Sequence, residues 1–258
     1  MSLPTEYKLS ARLVYQIEKA GLSLQQLRLL HACLAYVDRQ HQLQILALSQ
    51  EHGRNCIAAK AELAAITGSP GQKSAAWVEE AVASGGLRRF FRHLEIVGGG
   101  RLLSFKFQRM VGDACVANDA DQFVILNTDE IAKISSAGEL HFYTRAVMCA
   151  RADHMTFALP MGDTSWNART KKMWLRIAAR VSKRLGQEYL LVPKRDAMTR
   201  QITKVIVKVS SPTTKWSAGL LYPRLPCPPV SIAHGGEFQC LSHPELKARH
   251  AWTRVTGP

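Results

Sequence analysis

Apolar and polar positions follow two rhythms along this chain. Between Leu24 and Arg39, apolar residues recur at Leu27, Leu30, Leu34 and Val37, the spacing of one helix face. Ser23 with Gln26 three positions later has capping-box spacing, and Gly21-Leu22-Ser23 separates this helix from an earlier helical pattern. After a polar link, Ala58–Thr67 reads as a helix stopped by Gly68, and Ser69-Pro70-Gly71 is turn chemistry. Another helix begins near Ser74 and carries Ala75, Val78 and Val82, and Gly85-Gly86 breaks it before Leu87, Phe90 and Phe91. The rhythm then shortens to two. Glu95-Ile96-Val97 and Leu102–Phe107 flank Gly98-Gly99-Gly100, and Phe105 alternates with Phe107, which predicts a hairpin.

The second half begins beyond Val111–Asp121, a short polar stretch that reads as a linker. Phe123–Leu126 is a compact apolar run, expected as a strand. Asn127 or Thr128 caps a helix over Asp129–Ser135, with Asp129 and Glu130 suited to its N-terminus. Leu140–Arg151 is a further helix with Leu140, Tyr143, Val147 and Ala150 near one stripe, and Phe157–Pro160 is extended. A long helix over Trp166–Leu185 follows, capped by Thr164 or Ser165 and ended by Gly186. Its Met173, Trp174, Ile177, Val181 and Leu185 are expected to face the core. Tyr189–Val192 and Ile202–Val209 form a second hairpin around Pro193–Arg200. From Ser210 the prolines Pro212, Pro223, Pro226, Pro228 and Pro229 predict sparse regular structure, with a short helix over Pro244–Thr253.

Helices followed by a hairpin, twice over, is the order of winged helix-turn-helix domains. The expected fold class is therefore α+β, with two such domains in tandem and a Pro-rich, mostly irregular tail. The boundaries are 1–112, 121–210 and 211–258. In the first domain Lys60–Thr67 is the supporting helix, the helix from Ser74 the recognition helix, and Gly98–Gly100 the wing tip.

Charge changes the picture most. The 258 residues carry a net +14, and Ser165–Val209 alone holds twelve Lys/Arg against two acids. A chain so basic has a polyanion as its default partner, nucleic acid before a membrane surface. No apolar run approaches the roughly 20 residues that span a bilayer, and the N-terminus lacks a signal-peptide core, so a cytoplasmic protein without a membrane partner is expected. The six cysteines are scattered without a Cys-x-x-Cys pair, against a disulfide framework.

On the long helix, Arg169, Lys172, Arg176, Arg180 and Lys183 fall opposite the apolar face, with Lys171 and Arg184 at the margins, and no acid lies between Trp166 and Gln187. Solvated helices mix Glu with Lys for i,i+4 pairing, so this face predicts phosphate contact. Asn167, Arg169 and Thr170 lie at the end that enters a major groove first, where Arg suits guanine and Asn adenine. Lys194, Arg195 and Arg200 form a basic wing tip, and Lys73, Arg88, Arg92 and Arg101, with Arg89 and His93, are the counterparts in the first domain. Phe90 and Phe91 read as core.

Other chemistry is thin. Cys227, His234, Cys240 and His243 could hold zinc, but their spacing matches no finger pattern, so no metal or cofactor is expected. There is no GxxxxGK[ST] or GxGxxG motif, no His-x-His clamp and no acidic cluster for two metals. The remaining enzymatic reading is a metal-free RNase with His31, His141 or His154 as base. An RNA-binding protein with a ferredoxin-like βαββαβ sheet is the rival class.

The element order, together with Leu22-Ser-Leu-Gln-Gln-Leu-Arg-Leu-Leu30, Phe123-Val-Ile-Leu with Leu140-His-Phe-Tyr143, and Trp174-Leu-Arg-Ile-Ala to Leu185 before a hairpin, resembles plasmid replication initiators of the tandem winged-helix type (RepA/RepE-like). The resemblance covers about Ser10 to Val209. The family's Leu-Tyr-x-Leu-Leu type helix is not clearly present, and the Pro-rich tail lies outside the pattern. It implies a non-enzymatic protein that binds repeated double-stranded DNA sites at an origin and recruits host replication proteins. The second domain would read the major groove, and the first would support homodimerisation or a second contact. A transcriptional repressor on the same scaffold is the alternative.

Overall fold

In the computed structural model, helix α2 (Leu24–Arg39) spans the bounds that its periodicity predicts. The structure describes residues 3–39, 55–69, 74–116, 123–150, 156–161, 165–195, 198, 201–210, 230–233 and 235–240. The chain divides into two units, Met1–Leu140 and His141–Pro258.

Leu27, Leu30, Leu34 and Val37 of α2 are buried, but so are Leu29, Ala32, Cys33 and Ala35. The helix is covered around most of its circumference. It packs against α3 (Lys60–Thr67), α4 (Ala76–Ala83), β1 (Glu6–Ser10) and α6 (Thr128–Lys133). The predicted capping box is present: the Gln26 N–H donates to Ser23 Oγ at 3.3 Å and the Ser23 N–H to Gln26 Oε1 at 2.9 Å. Its buried polar groups are committed to structure. His31 Nδ1 hydrogen-bonds the Tyr7 hydroxyl, and the Arg28 guanidinium donates to the Ala132 and Ile134 carbonyls at 3.0 and 2.7 Å, satisfying the exposed end of α6.

The predicted helix over Ala58–Thr67 divides. Cys56–Ala59 is strand β2, and α3 begins at Lys60, whose N–H donates to the Arg101 carbonyl at 3.0 Å and prolongs the ladder. With β3 (Phe91–Val97) and β4 (Leu102–Phe107), β2 makes a three-stranded antiparallel sheet in the order β2-β4-β3. The hairpin tip is the expected one. Gly98, Gly99 and Gly100 all have positive φ, at 62°, 65° and 84°, a run that side chains would strain. Phe90 and Phe91 are buried as expected.

Two expectations fail at the end of this unit. The start of the expected linker, Val111–Val116, belongs to helix α5 (Arg109–Val116), which buries Val111 and Ala114 and packs on β1 and on α1 (Ala11–Glu18). The strand β5 (Phe123–Asn127), expected to open the second domain at 121, pairs antiparallel with β1, Tyr7 opposite Leu126 and Leu9 opposite Val124. The partner strand was missed because Tyr7-Lys8-Leu9 is too short to show alternation against its polar flanks. Asn127 is the cap of α6, accepting the Glu130 N–H at 3.0 Å.

The division between units falls within α7 (Ala137–Cys149). The second unit holds β6 (Thr156–Ala158), α8 (Ala168–Leu185), β7 (Glu188–Arg195) and β8 (Ile202–Ser210). Its tail was expected to be irregular, but Val230–Ile232 (β9) and Phe238–Cys240 (β10) are strands that complete an antiparallel sheet ordered β10-β9-β7-β8-β6. Pro228 and Pro229 precede β9 and leave its short ladder intact. The tail helix expected over Pro244–Thr253 lies outside the described residues.

Both units run helix, strand, helix, two-stranded ribbon, with the first strand paired to the last: β2 to β4, and β6 to β8. The first unit has an extra helix, α3, in this sequence, whereas no helix lies among the described residues between β6 and α8. In the second core the Phe142 ring meets Phe157 and Tyr189 edge-on at 5.2 and 5.0 Å between centroids, and Trp174 from α8 joins at 6.5 Å.

Candidate nucleic-acid interface

Helix α8 is fixed at both ends. Asn167, rather than Thr164 or Ser165, is the N-cap. Its side chain accepts the Thr170 N–H at 2.9 Å, and its own N–H donates to Thr170 Oγ1 at 2.8 Å, a reciprocal capping box. The Thr170 hydroxyl in turn lies 2.7 Å from the Ser165 carbonyl. Two residues expected to read bases therefore have their polar atoms engaged in starting the helix. At the other end Gly186 takes the left-handed conformation at φ 60° and donates to the Ser182 carbonyl at 2.9 Å.

The two faces are cleanly separated. Trp174, Leu175, Ile177, Ala178, Val181 and Ser182 are buried, while Arg169, Lys172, Arg176, Arg180 and Lys183 are exposed. Lys171 and Arg184 are half-buried at the margins, as their positions predict. Met173, expected in the core, is 45% exposed, and Leu185 is only half-buried. The reason lies in the 3.6-residue turn: Arg169, Met173, Arg176 and Arg180 fall at i, i+4, i+7 and i+11 and share one stripe. Leu175 and Ala178 take the core places.

From Arg169 to Lys183 the stripe is about 21 Å long at 1.5 Å per residue. No acid lies in the first turn of α8, and Arg169 occupies its second position. A cation there opposes the helix macrodipole, whereas Lys183 and Arg184 in the last turn suit it. An anion at the N-terminal end would answer both the exposed N–H groups and the misplaced cations.

The β7–β8 ribbon adds to this charge. Lys194 stands directly opposite Lys204, and Leu190 opposite Lys208. Both Lys194 and Lys204 are exposed. Burial, and then the charge of Lys194, hold the Lys208 ammonium below its usual pKa. The inward face of the ribbon is Tyr189, Leu191, Val205, Val207 and Val209, all buried. Sequence reasoning missed Lys204, although the alternation Ile202, Lys204, Ile206, Lys208 against Val205, Val207, Val209 carries it. Arg195 ends β7, and Arg200 lies outside the described residues.

The first unit differs. Its α4, expected as a recognition helix, exposes Glu79 and Glu80 and carries no cation, and Glu79 pairs with Lys60 of α3. Arg88, Arg89 and Arg92 are exposed together around the turn Gly86–Arg89 that leads into β3, while Arg101 is exposed beside the glycine tip at the far end of that strand. His93 contacts Ser104 Oγ at 3.1 Å. Lys73 lies outside the described residues.

Of the zinc candidates, Cys240 is exposed on β10, and Cys227, His234 and His243 lie outside the described residues. Among the described residues no three His, Cys, Asp or Glu side chains converge. His141 is held near pKa 4, by burial first and by Arg145 second, so it is neutral at pH 7. His154 lies outside the described residues. No helix among the described residues is long and apolar enough to cross a membrane.

No family model and no curated protein matches the chain. Among solved structures it is similar to a Pi initiator protein in complex with iteron DNA, at 12% identity and a TM-score of 0.52, over 83% of this chain and 100% of that one. At that identity the likeness is one of fold. It agrees with the α+β class.

Proposed function

We propose that this chain is a non-enzymatic, sequence-specific double-stranded DNA-binding protein of the replication-initiator type, built of two winged-helix units. The repeated order of helix, strand, helix and ribbon, with the first strand beside the last, supports the winged-helix reading of both units. In the second, α8 is the recognition helix and the β7–β8 ribbon its wing.

The observation that carries the reading is the exposed stripe of Arg169, Lys172, Arg176, Arg180 and Lys183 on a helix firmly capped at Asn167. The helix itself contains no acid, and Lys194 and Lys204 add like charges on the adjoining ribbon. A duplex supplies about one phosphate per 1.7 Å of axis, and a major groove about 12 Å wide admits such a helix. The fold likeness to an initiator solved with iteron DNA favours repeated duplex sites as the target. Recruitment of host replication proteins and self-association belong to the same reading. The first unit contributes Arg88, Arg92 and Arg101 as backbone contacts, because acidic α4 is unsuited to a groove.

The test is competition binding of the full chain to duplex DNA, single-stranded DNA and RNA across a salt series. Duplex is expected to win, with affinity falling by about 0.9 log unit per log unit of salt for each phosphate contacted. A preference for RNA overturns the reading.

A further inference from the structure

Met173 is the exposed large apolar side chain of α8, 45% accessible on a face otherwise made of cations. Arg169 lies one turn before it, and Arg176 and Arg180 lie one and two turns after it. It adds little to the core, which Trp174, Leu175, Ile177, Ala178 and Val181 complete.

The partner of this face must then offer phosphates to the arginines and something apolar between them. The edges of base pairs in the major groove carry donors, acceptors and a single apolar group, the C5-methyl of thymine. The unbranched thioether of Met adapts to such a contact without a fixed rotamer. Met173 also lies in the second turn of α8, within the N-terminal part of a recognition helix that approaches base edges. The engagement of Asn167 and Thr170 in the cap leaves the base-reading role to residues further along this stripe.

We infer that Met173 is a specificity-determining residue that reads thymine through its methyl group. The inference rests on α8 being the recognition helix of a duplex-binding protein. Arg169, Arg176 and Arg180 supply affinity around the contact, and Met173 selects an A·T pair beneath the second turn.

The experiment uses the full chain. Wild-type protein enriches duplexes from a pool with a randomised core. In the best-enriched duplex each thymine is replaced in turn by deoxyuridine, which keeps the pairing and removes only the methyl. At one position or more, the replacement is expected to weaken wild-type binding about four-fold. That factor corresponds to about 0.8 kcal/mol for one buried methyl, at about 1.4 kcal/mol per tenfold. Met173→Ala is expected to bind the thymine duplex more weakly by a similar factor and to be indifferent to uracil at that position alone. Met173→Leu retains the sensitivity. Wild-type indifference at every thymine overturns the inference, as does an unchanged uracil profile in Met173→Ala, while duplex binding that depends on Arg169 and Arg176 leaves the underlying reading standing. If the pool yields no enriched duplex, the underlying reading falls and the inference with it.

Discussion

Lys194 and Lys204 face each other directly across the antiparallel β7–β8 ribbon. Like charges placed so destabilise a ribbon by a few tenths of a kcal/mol up to about 1 kcal/mol, and here both side chains are exposed and add little to packing. Lys204→Glu replaces the repulsion with a cross-strand ion pair. It is expected to raise the melting temperature by about 1–4 °C and to weaken duplex binding at the same time. Calorimetry and a salt titration on one preparation check both. Gain of stability with binding unchanged would remove the wing from the interface.

Arg169 and Arg176 test the helix. Both are exposed, and Arg169 at the second helical position is electrostatically misplaced. The double change to Ala is expected to leave stability within about 0.5 kcal/mol. It should lower the slope of log affinity against log salt by about 1.8, two phosphate contacts at about 0.9 each. Full binding by the double variant would show that α8 is not the reading head.

Much of the two-faced character of α8 was legible in the sequence because amphipathic periodicity and charge fall on the same 18 residues. The faces follow from 3.6-residue spacing, and the sites of Gly186 and Gly98–Gly100 follow from what left-handed backbone demands. The capping residue was not legible: Thr164, Ser165 and Asn167 all qualify chemically, and only the reciprocal bond with Thr170 selects Asn167. Nor was the pairing of β1 with β5, separated by more than a hundred residues, since local pattern says nothing about long-range partners. The acidic face of α4 sits uneasily with the recognition role that element order suggests. Glu79 and Glu80 are visible in the sequence, and the structure exposes both.

The strands β9 and β10 are a structural part of the second unit. Ser182 Oγ lies 2.8 Å from the Gln187 carbonyl and 2.6 Å from that of Ala233, joining α8 to the segment after β9. At Gly236, φ is +78°, and a Cβ would sit 2.7 Å from the Ala179 carbonyl oxygen. Ser182→Ala is expected to cost about 1–2 kcal/mol and Gly236→Ala at least about 1 kcal/mol. Thermal unfolding checks both, and an unchanged melting temperature in each would mean that the tail strands do not hold the helix.

His141 ties the stability of the chain to acid. Burial, followed by the nearby Arg145 charge, lowers its pKa from 6.5 to about 4. Below pH 6.5 the unfolded chain takes up a proton that the folded chain refuses, so stability falls as pH drops from 6.5 toward 4 and changes no further below that. Above 6.5 both states are neutral at this site and the contribution is fully present. The shift amounts to on the order of 2–3 kcal/mol by pH 4.5, at about 1.36 kcal/mol per pKa unit. Chemical denaturation of wild type and His141→Gln at pH 7 and pH 4.5 separates this group from the carboxylates, which titrate in both chains. The variant is expected to lose less stability on acidification by about that amount. Parallel losses would mean that His141 takes up its proton as readily folded as unfolded. A neutral His141 at pH 7 also adds nothing to the cationic face, so duplex affinity should not rise between pH 7.5 and 6 through this residue.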